Sequence, residues 1–207
     1  MSASVLAVLN LKGGVGKTTV TASVGRGLFD AKPRSVLMID LDPQFNLTQA
    51  LQSESEYKKY LSADKTVLKA FEPLPSTDLF RVRTSSQPPP PASELERVLW
   101  QWDRDSKHLA IIMGNFELVK YSLLSNDQML HAAKTRFQKF ITAASRTYDV
   151  VMLDCNPSSS FLTHCAIECA TDILVPIRPD KFRACFQSLR RNWSPIHLNN
   201  NACRVIL

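Results

Sequence analysis

The sequence contains no long hydrophobic run and lacks the features of a secreted or membrane protein. None of its apolar stretches approaches the roughly 18 residues that a membrane-spanning helix needs. Lys12 interrupts the N-terminal apolar run and glycines follow at once, which argues against a signal peptide. The five cysteines are an odd number and include no C-x-x-C pair. These absences predict reduced thiols and a cytoplasmic location.

Composition is that of a globular protein with a basic balance. Hydrophobic residues make up 44% and charged residues 21% of the 207 positions, and the formal net charge is +6. This length predicts a single domain spanning 1–207. A basic chain is compatible with an acidic partner such as nucleic acid or a nucleotide, although charge alone does not establish one.

Short apolar runs alternate with helical patterns along the chain. Strands are predicted at 5–9, 35–40, 109–113, 149–154, 172–177 and 204–207, and helices at 17–31, 54–71, 94–102, 127–146 and 182–193. Continuous apolar strands that alternate with helices predict an α/β fold with a doubly wound, mostly parallel sheet and helices on both faces. The proline-rich stretch at about 72–93 is predicted to be a loop or insert that contributes no core.

A phosphate-binding loop is indicated by LNLKGGVGKTT at 9–19, which follows a predicted strand and opens a predicted helix. Glycines in this stretch allow successive N–H groups to point at phosphate oxygens, and the helix start adds its positive dipole end. Lys17 would place a positive charge at the β- and γ-phosphates, and the Thr18 hydroxyl could bind Mg²⁺. The simpler alternative is a glycine-rich turn without a ligand.

Three aspartates end predicted strands, where a nucleotide–Mg²⁺ site needs carboxylates. Asp40 and Asp42 follow the second strand, and Asp154 ends the strand at 149–154. Each one alone could be an ordinary strand-end or helix-cap carboxylate. Their common relation to one phosphate loop favours a nucleotide site.

The loop departs from the strict P-loop pattern and resembles the deviant Walker A motif of the ParA/MinD family of ATPases. Leu11 stands where the strict pattern has glycine, and Lys12 is an additional lysine beside it. DLDPQFNLT at 40–48 and YDVVMLDCNPS at 148–158 resemble the two switch segments of that family. Phe45 differs from the glycine that the family often has, and Asn156 replaces a proline.

The resemblance implies roles for the candidate residues. Lys12 would reach across a dimer interface to the partner's nucleotide, Asp42 would position the attacking water, and Asp40 and Asp154 would lie at the metal, Asp154 through water. The implied catalytic residues are Lys12, Lys17 and Asp42, the metal residues are Thr18, Asp40 and Asp154, and the nucleotide-binding residues are Lys12, Gly13, Gly14, Val15, Gly16, Lys17, Thr18 and Thr19.

The function implied by this resemblance is a slow, partner-stimulated ATPase that binds ATP and Mg²⁺, dimerises with ATP and acts in plasmid or chromosome partitioning. Its implied partners are a second copy, an adaptor of the ParB type and non-specific DNA at the nucleoid. Proteins of the family continue for several tens of residues, so we expect this chain to lack a C-terminal part. Two alternatives remain open: a MinD-like positioning ATPase and a truncated, non-hydrolysing regulator.

Other groups of residues carry weaker signals. The basic residues Arg183, Arg190 and Arg191 fit a DNA-backbone contact and a solvated helix face equally well. Buried thiols are a better interpretation of Cys155, Cys165 and Cys169 than a metal site. Packing is favoured over base stacking for Trp100, Trp102 and Trp193.

Overall fold

The computed structural model describes residues 3–74, 81–85, 87–102, 106–124, 127–158, 160–177, 197–198, 201–202 and 204–206. The strands are β1 (Ser4–Val8), β2 (Val36–Asp40), β3 (Arg97–Gln101), β4 (His108–Ile112), β5 (Val150–Asp154), β6 (Asp172–Leu174), β7 (His197–Leu198), β8 (Asn201–Ala202) and β9 (Arg204–Ile206). The helices are α1 (Lys17–Ala31), α2 (Asn46–Leu51), α3 (Glu54–Ser62), α4 (Leu68–Phe71), α5 (Ala92–Leu95), α6 (Lys120–Leu123), α7 (Asp127–Ala144) and α8 (Phe161–Cys169), and a 3₁₀ helix covers Phe116–Val119.

Seven of these strands form one sheet in the order β3-β4-β2-β5-β1-β6-β9. All neighbours pair in parallel except β3, which runs antiparallel to β4 at one edge. The mostly parallel α/β fold predicted from the sequence is confirmed. Strand β5 lies between β1 and β2, so the carboxyl ends of these three strands meet at one edge of the sheet.

Alternate residues of the central strands pack into two separate cores, one on each face. Leu37 and Ile39 belong to the core that includes α7 and α8, whereas Val36 and Met38 belong to the core beneath α1. A central strand must be apolar on both faces when helices cover both, which explains the continuous apolar runs in the sequence. Gly25 of α1 lies directly over this second core, where a Cβ would approach the Met38 sulfur to 2.8 Å.

The helix predicted at 94–102 is wrong. Only Ala92–Leu95 is helical there, and Arg97–Gln101 forms strand β3. Antiparallel pairing with β4, the next strand along the chain, decides this conformation, and the local hydrophobic spacing does not indicate it. The helix predicted at 54–71 is divided into α3 and α4. The helix predicted at 182–193 lies outside the described residues.

The proline-rich stretch is a loop at 81–85 and 87–91, but the expectation that it contributes no core is wrong. Val82 and Ala92 are buried and belong to the larger core. The Arg83 amide donates to the Glu72 carboxylate at 3.0 Å, which attaches this loop to the domain. Backbone hydrogen bonding to a buried carboxylate therefore brings Val82 into the core despite the prolines. In the part of the chain described, no helix is both long and apolar enough to cross a bilayer.

Candidate nucleotide-binding site

The loop at 9–16 connects β1 to α1 and has the backbone of a phosphate-binding loop. Gly14 (φ 69°) and Gly16 (φ 87°) have positive φ values that residues with a Cβ rarely adopt. A Cβ at either position would meet no atom within 4 Å, so glycine is required here for conformation and not for space. The 15-residue helix α1 begins directly after Gly16 and presents its unpaired N–H groups to this loop.

Two lysines of the loop differ in their environment. Lys17 is 8% exposed and its Nζ lies 3.5 Å from the Lys12 carbonyl oxygen, whereas Lys12 itself lies at the surface. The Lys12 amide donates to Asn10 Oδ1 at 2.9 Å, and Asn10 Nδ2 donates to the Pro176 carbonyl at 2.9 Å. Asn10 therefore fixes the start of the loop to the segment that follows β6.

Asp154 at the end of β5 is hydrogen-bonded to the first turn and a half of α1. Thr18 Oγ1 donates to Asp154 Oδ2 and Thr21 Oγ1 donates to Asp154 Oδ1, both at 2.9 Å. Burial raises the pKa of Asp154 to about 6, and the negative charge of Asp42 adds to this effect, while both threonine hydrogen bonds oppose it. A hydroxyl beside a carboxylate at this place is the oxygen set that Mg²⁺ prefers.

Asp40 pairs in register with Asp154 across β2 and β5, but its carboxylate has partners of its own. The Thr48 amide and hydroxyl both donate to Asp40 Oδ2 at 2.8 Å, and the Asp42 amide donates to Oδ1 at 3.2 Å. Burial raises the pKa of this fully buried carboxyl to about 7. Asp40 thus holds the segment after β2 in place, and its assignment to the metal stays a prediction.

Asp42 lies in a turn that its own carboxylate and carbonyl stabilise. Gln44 donates its amide to Asp42 Oδ1 at 2.9 Å, and the Phe45 amide donates to the Asp42 carbonyl at 2.8 Å. The Asn46 side chain lies 3.5 Å from Asp42 Oδ2. We refer to residues 42–45 as the switch turn.

The structure brings the predicted residues to one edge of the sheet. Lys17, Thr18 and Asp154 are in direct or near contact. Besides burial, the charge of Asp154 raises the pKa of Asp40, and the charge of Asp42 raises the pKa of Asp154. Gly13 is exposed, Val15 is partly exposed and Thr19 is exposed in α1. Lysine, helix N-terminus, hydroxyl and carboxylates together fit a nucleotide with Mg²⁺.

Sequence reasoning missed three polar residues that organise this site: Asn10, Thr21 and Thr48. Thr21 follows Thr18 by three residues, so both face the same strand end, and this spacing was the available signal. Asn10 and Thr48 act through contacts distant in sequence, and no local pattern indicates them. Cys155 and Cys165 are buried thiols, as expected, whereas Cys169 is only partly buried. The described residues include no cluster of three metal-binding side chains.

A family model described as "AAA domain" (AAA_31) matches residues 3–187, which is most of the chain. With its phosphate loop, switch segments and fold, the chain belongs to this family and to the ParA/MinD group of P-loop ATPases within it.

Curated relatives include bacterial proteins named for replication, for inhibition of sporulation and for a virulence plasmid. The chain is 31% identical over 181 residues to "Putative replication protein A" of Rhizobium rhizogenes, covering 84% of this chain and 40% of that protein. It is 25% identical over 174 residues to the sporulation initiation inhibitor protein Soj of Bacillus subtilis, covering 84% and 58%. It is 28% identical over 181 residues to the virulence plasmid ParA family protein pGP5-D of Chlamydia psittaci, covering 86% and 58%. The chain therefore spans between two fifths and three fifths of these relatives.

Solved structures share the fold over nearly the whole chain. A plasmid partition protein from Borrelia burgdorferi has a TM-score of 0.67 at 18% identity, covering 100% of this chain and 78% of that one. A cobyrinic acid a,c-diamide synthase from Mycobacterium smegmatis, with bound ADP and magnesium, has a TM-score of 0.64 at 26% identity, covering 98% and 72%. The second protein shows that this fold binds a nucleotide with Mg²⁺.

Proposed function

We propose that this protein is an ATP-binding and ATP-hydrolysing switch of the ParA type. The observation that carries this proposal is the 2.9 Å hydrogen bond from Thr18 to Asp154, beside the buried Lys17, in a loop that also presents Lys12. Mg²⁺, when bound with ATP, neutralises phosphate charge. Thr18 would hold it directly and Asp154 through water.

Each residue of the site has a separate task in hydrolysis. Lys17 and the N–H groups of the loop stabilise negative charge on the phosphates. Asp42 orients the water that attacks the terminal phosphorus. As that water adds, the bond breaks between this phosphorus and the oxygen that leaves with ADP. Because Asp42 is held by its own turn rather than by the phosphate loop, we expect slow turnover without a partner.

ATP-dependent dimerisation would connect this chemistry to the switch. Lys12 lies at the surface of the loop, and the neighbouring Leu11 is 64% exposed. Both residues are therefore accessible to a second copy of the chain. Lys12 would then reach the nucleotide of the partner.

The cellular role proposed is DNA partitioning of a plasmid or chromosome in the cytoplasm, in association with the nucleoid. The names of relatives such as the ParA family protein of Chlamydia psittaci support this role. A ParB-type adaptor would stimulate hydrolysis, and non-specific DNA would be the track. We propose that residues 1–207 form one ATPase unit.

The test is the solution mass of the Asp42→Ala variant by light scattering, with ATP–Mg²⁺ and then with ADP–Mg²⁺. We expect a dimer with ATP and a monomer with ADP. Adding Lys12→Ala should abolish the dimer, whereas adding Lys32→Ala, an exposed lysine at the far end of α1, should not. Nucleotide-bound monomers in both conditions, together with absent turnover in the unmodified chain, would instead support the non-hydrolysing regulator.

A further inference from the structure

One residue of the switch turn has a backbone conformation that its side chain disfavours. Phe45 has φ 42° and ψ 43°, in the left-handed region that bulky residues rarely occupy. Such strain persists only where surrounding contacts hold it, and it tends to occur at functional sites. The question is which contacts hold Phe45.

Two contacts fix this side chain from opposite sides. The Phe45 ring stacks on the Tyr57 ring of α3, with 5.0 Å between centroids and 17° between planes. On the other side, a Cβ built on Gly114 after β4 would lie only 2.7 Å from the Phe45 Cβ. Phe45 is therefore held between the backbone after β4 and the ring of Tyr57.

Helix α3 reaches the switch turn through the ring of Tyr57, which stacks on Phe45. No residue of α3 is fully buried. Elsewhere along the helix, the Tyr60 hydroxyl donates to the Glu96 carbonyl at 3.3 Å, and Glu56 pairs with Arg97 at 3.1 Å. A groove of about 480 Å³ separates α2 from α3 beside the stack, so continuous packing does not reinforce it.

The switch turn connects this stack to Asp42. The Phe45 amide donates to the Asp42 carbonyl, and the amide of Gln44, the preceding residue, donates to the Asp42 carboxylate. Helix α2 is fixed by the hydrogen bonds from Thr48 to Asp40, so a rotation of Phe45 out of its left-handed conformation displaces the preceding amides of Gln44 and Phe45. The orientation of the Asp42 carboxylate therefore depends on the Phe45–Tyr57 stack.

We infer that Phe45 and Tyr57 are positioning residues for Asp42: their stack holds the switch turn in the strained conformation that orients the water-activating carboxylate. This inference rests on the proposed ATPase function. Neither ring needs to contact ATP, so the stack should affect the chemical step and leave nucleotide binding unchanged.

The first test compares steady-state ATP hydrolysis of Phe45→Ala, Tyr57→Ala and Tyr57→Phe with the unmodified chain. We expect kcat to fall roughly fivefold in Phe45→Ala and Tyr57→Ala, with KM within about twofold, because one aromatic pair is lost while the left-handed backbone stays strained. Tyr57→Phe keeps the stack and should retain kcat. Tyr60→Ala, a matched truncation on the same helix, should also retain it.

Glycine at 45 separates backbone conformation from ring contact. It lacks the ring but adopts the left-handed conformation without strain, so Phe45→Gly should retain more kcat than Phe45→Ala. A Phe45→Ala variant with full kcat, or a Tyr57→Phe variant as slow as Tyr57→Ala, would overturn the inference.

A second readout does not depend on hydrolysis. Hydrogen exchange of a peptide covering 43–47 should accelerate roughly fivefold in Tyr57→Ala and remain unchanged in Tyr57→Phe and Tyr60→Ala. If the unmodified chain hydrolyses no ATP, the proposed function fails. The exchange experiment then still tests whether the Phe45–Tyr57 stack holds the switch turn. Unchanged exchange in Tyr57→Ala would refute the link between Tyr57 and the switch turn.

Discussion

Removal of one buried charge should destabilise this protein more than most single substitutions. Glu72 and Lys120 are both 0% exposed, and Lys120 Nζ lies 2.9 Å from Glu72 Oε1. Tyr121 donates its hydroxyl to the same carboxylate at 3.0 Å, and the Arg83 amide donates to the other oxygen at 3.0 Å. The Glu72–Lys120 pair thus connects the end of α4 with α6 and with the proline-rich loop.

Lys120→Met keeps the length of the side chain and removes its charge. The Glu72 carboxylate would then be buried without a cation, and breaking a buried pair in this way costs about 3–5 kcal/mol. A domain has only about 5–15 kcal/mol of total stability, so this variant should be close to unfolding. For a chain of this length, the melting temperature should fall by about 10 °C or more.

The double variant Glu72→Gln/Lys120→Met tests the cause of this loss. Neutral Gln keeps one oxygen that accepts from the Arg83 amide, and its NH2 group can donate to the Tyr121 hydroxyl, so the double variant should recover about 2 kcal/mol relative to Lys120→Met alone. Urea unfolding followed by circular dichroism, with the same slope in all variants, gives these values. The assigned role of the Glu72–Lys120 pair is refuted if the free energy of unfolding of Lys120→Met lies within about 1 kcal/mol of that of the unmodified chain. It is also refuted if the double variant is no more stable than the single one.

Two further predictions concern other charged groups. Asp154→Asn should weaken Mg²⁺-dependent ATP binding about tenfold and leave binding in EDTA unchanged, as measured with a fluorescent ATP analogue; an equal loss in both buffers would contradict a metal role. The hydrogen bond to Glu96 raises the pKa of His108, and the charge of Lys107 opposes this rise. The His108–Glu96 pair therefore stabilises the fold at pH values below the ordinary histidine pKa, and this contribution is lost as pH rises through the raised pKa of His108. His108→Gln should therefore destabilise the protein more at pH 6 than at pH 9 in urea titrations, and equal effects at both pH values would refute this assignment.

The parts of the fold that could be predicted from the sequence are those with local causes. A strand buried on both faces must be apolar throughout, so β2 and β5 are visible as runs that end at Asp40 and Asp154. The glycines and Lys17 are visible because the phosphate-loop pattern restricts backbone and charge together. The order of these elements along the chain then places them at one edge of a parallel sheet.

The parts that could not be predicted depend on contacts between distant residues. Strand β3 has exposed apolar side chains, including Trp100 at 45%. The apolar residues Leu95, Val98, Leu99 and Trp102 in and around it also follow a helical spacing. Trp102 packs on the Phe29 ring, which agrees with the expected packing role. Trp100 instead lies under the Arg26 guanidinium, whose Cζ is 4.3 Å from the centre of the ring. The burial of Val82 likewise depends on Glu72, which no pattern in a proline-rich stretch reveals.

The nucleotide site is also a place where folding and function oppose each other. Asp40 and Asp154 lie side by side on neighbouring strands, and burial raises both pKa values, to about 7 and about 6. A carboxyl whose pKa is raised in the folded state costs stability once pH exceeds its unfolded value, so at neutral pH this pair destabilises the fold. The threonine hydrogen bonds from Thr18, Thr21 and Thr48 offset part of this cost. A bound cation would offset more of it, because positive charge favours the ionised carboxylates. The fold therefore keeps two costly carboxylates at the one edge where the proposed nucleotide and metal would compensate for them.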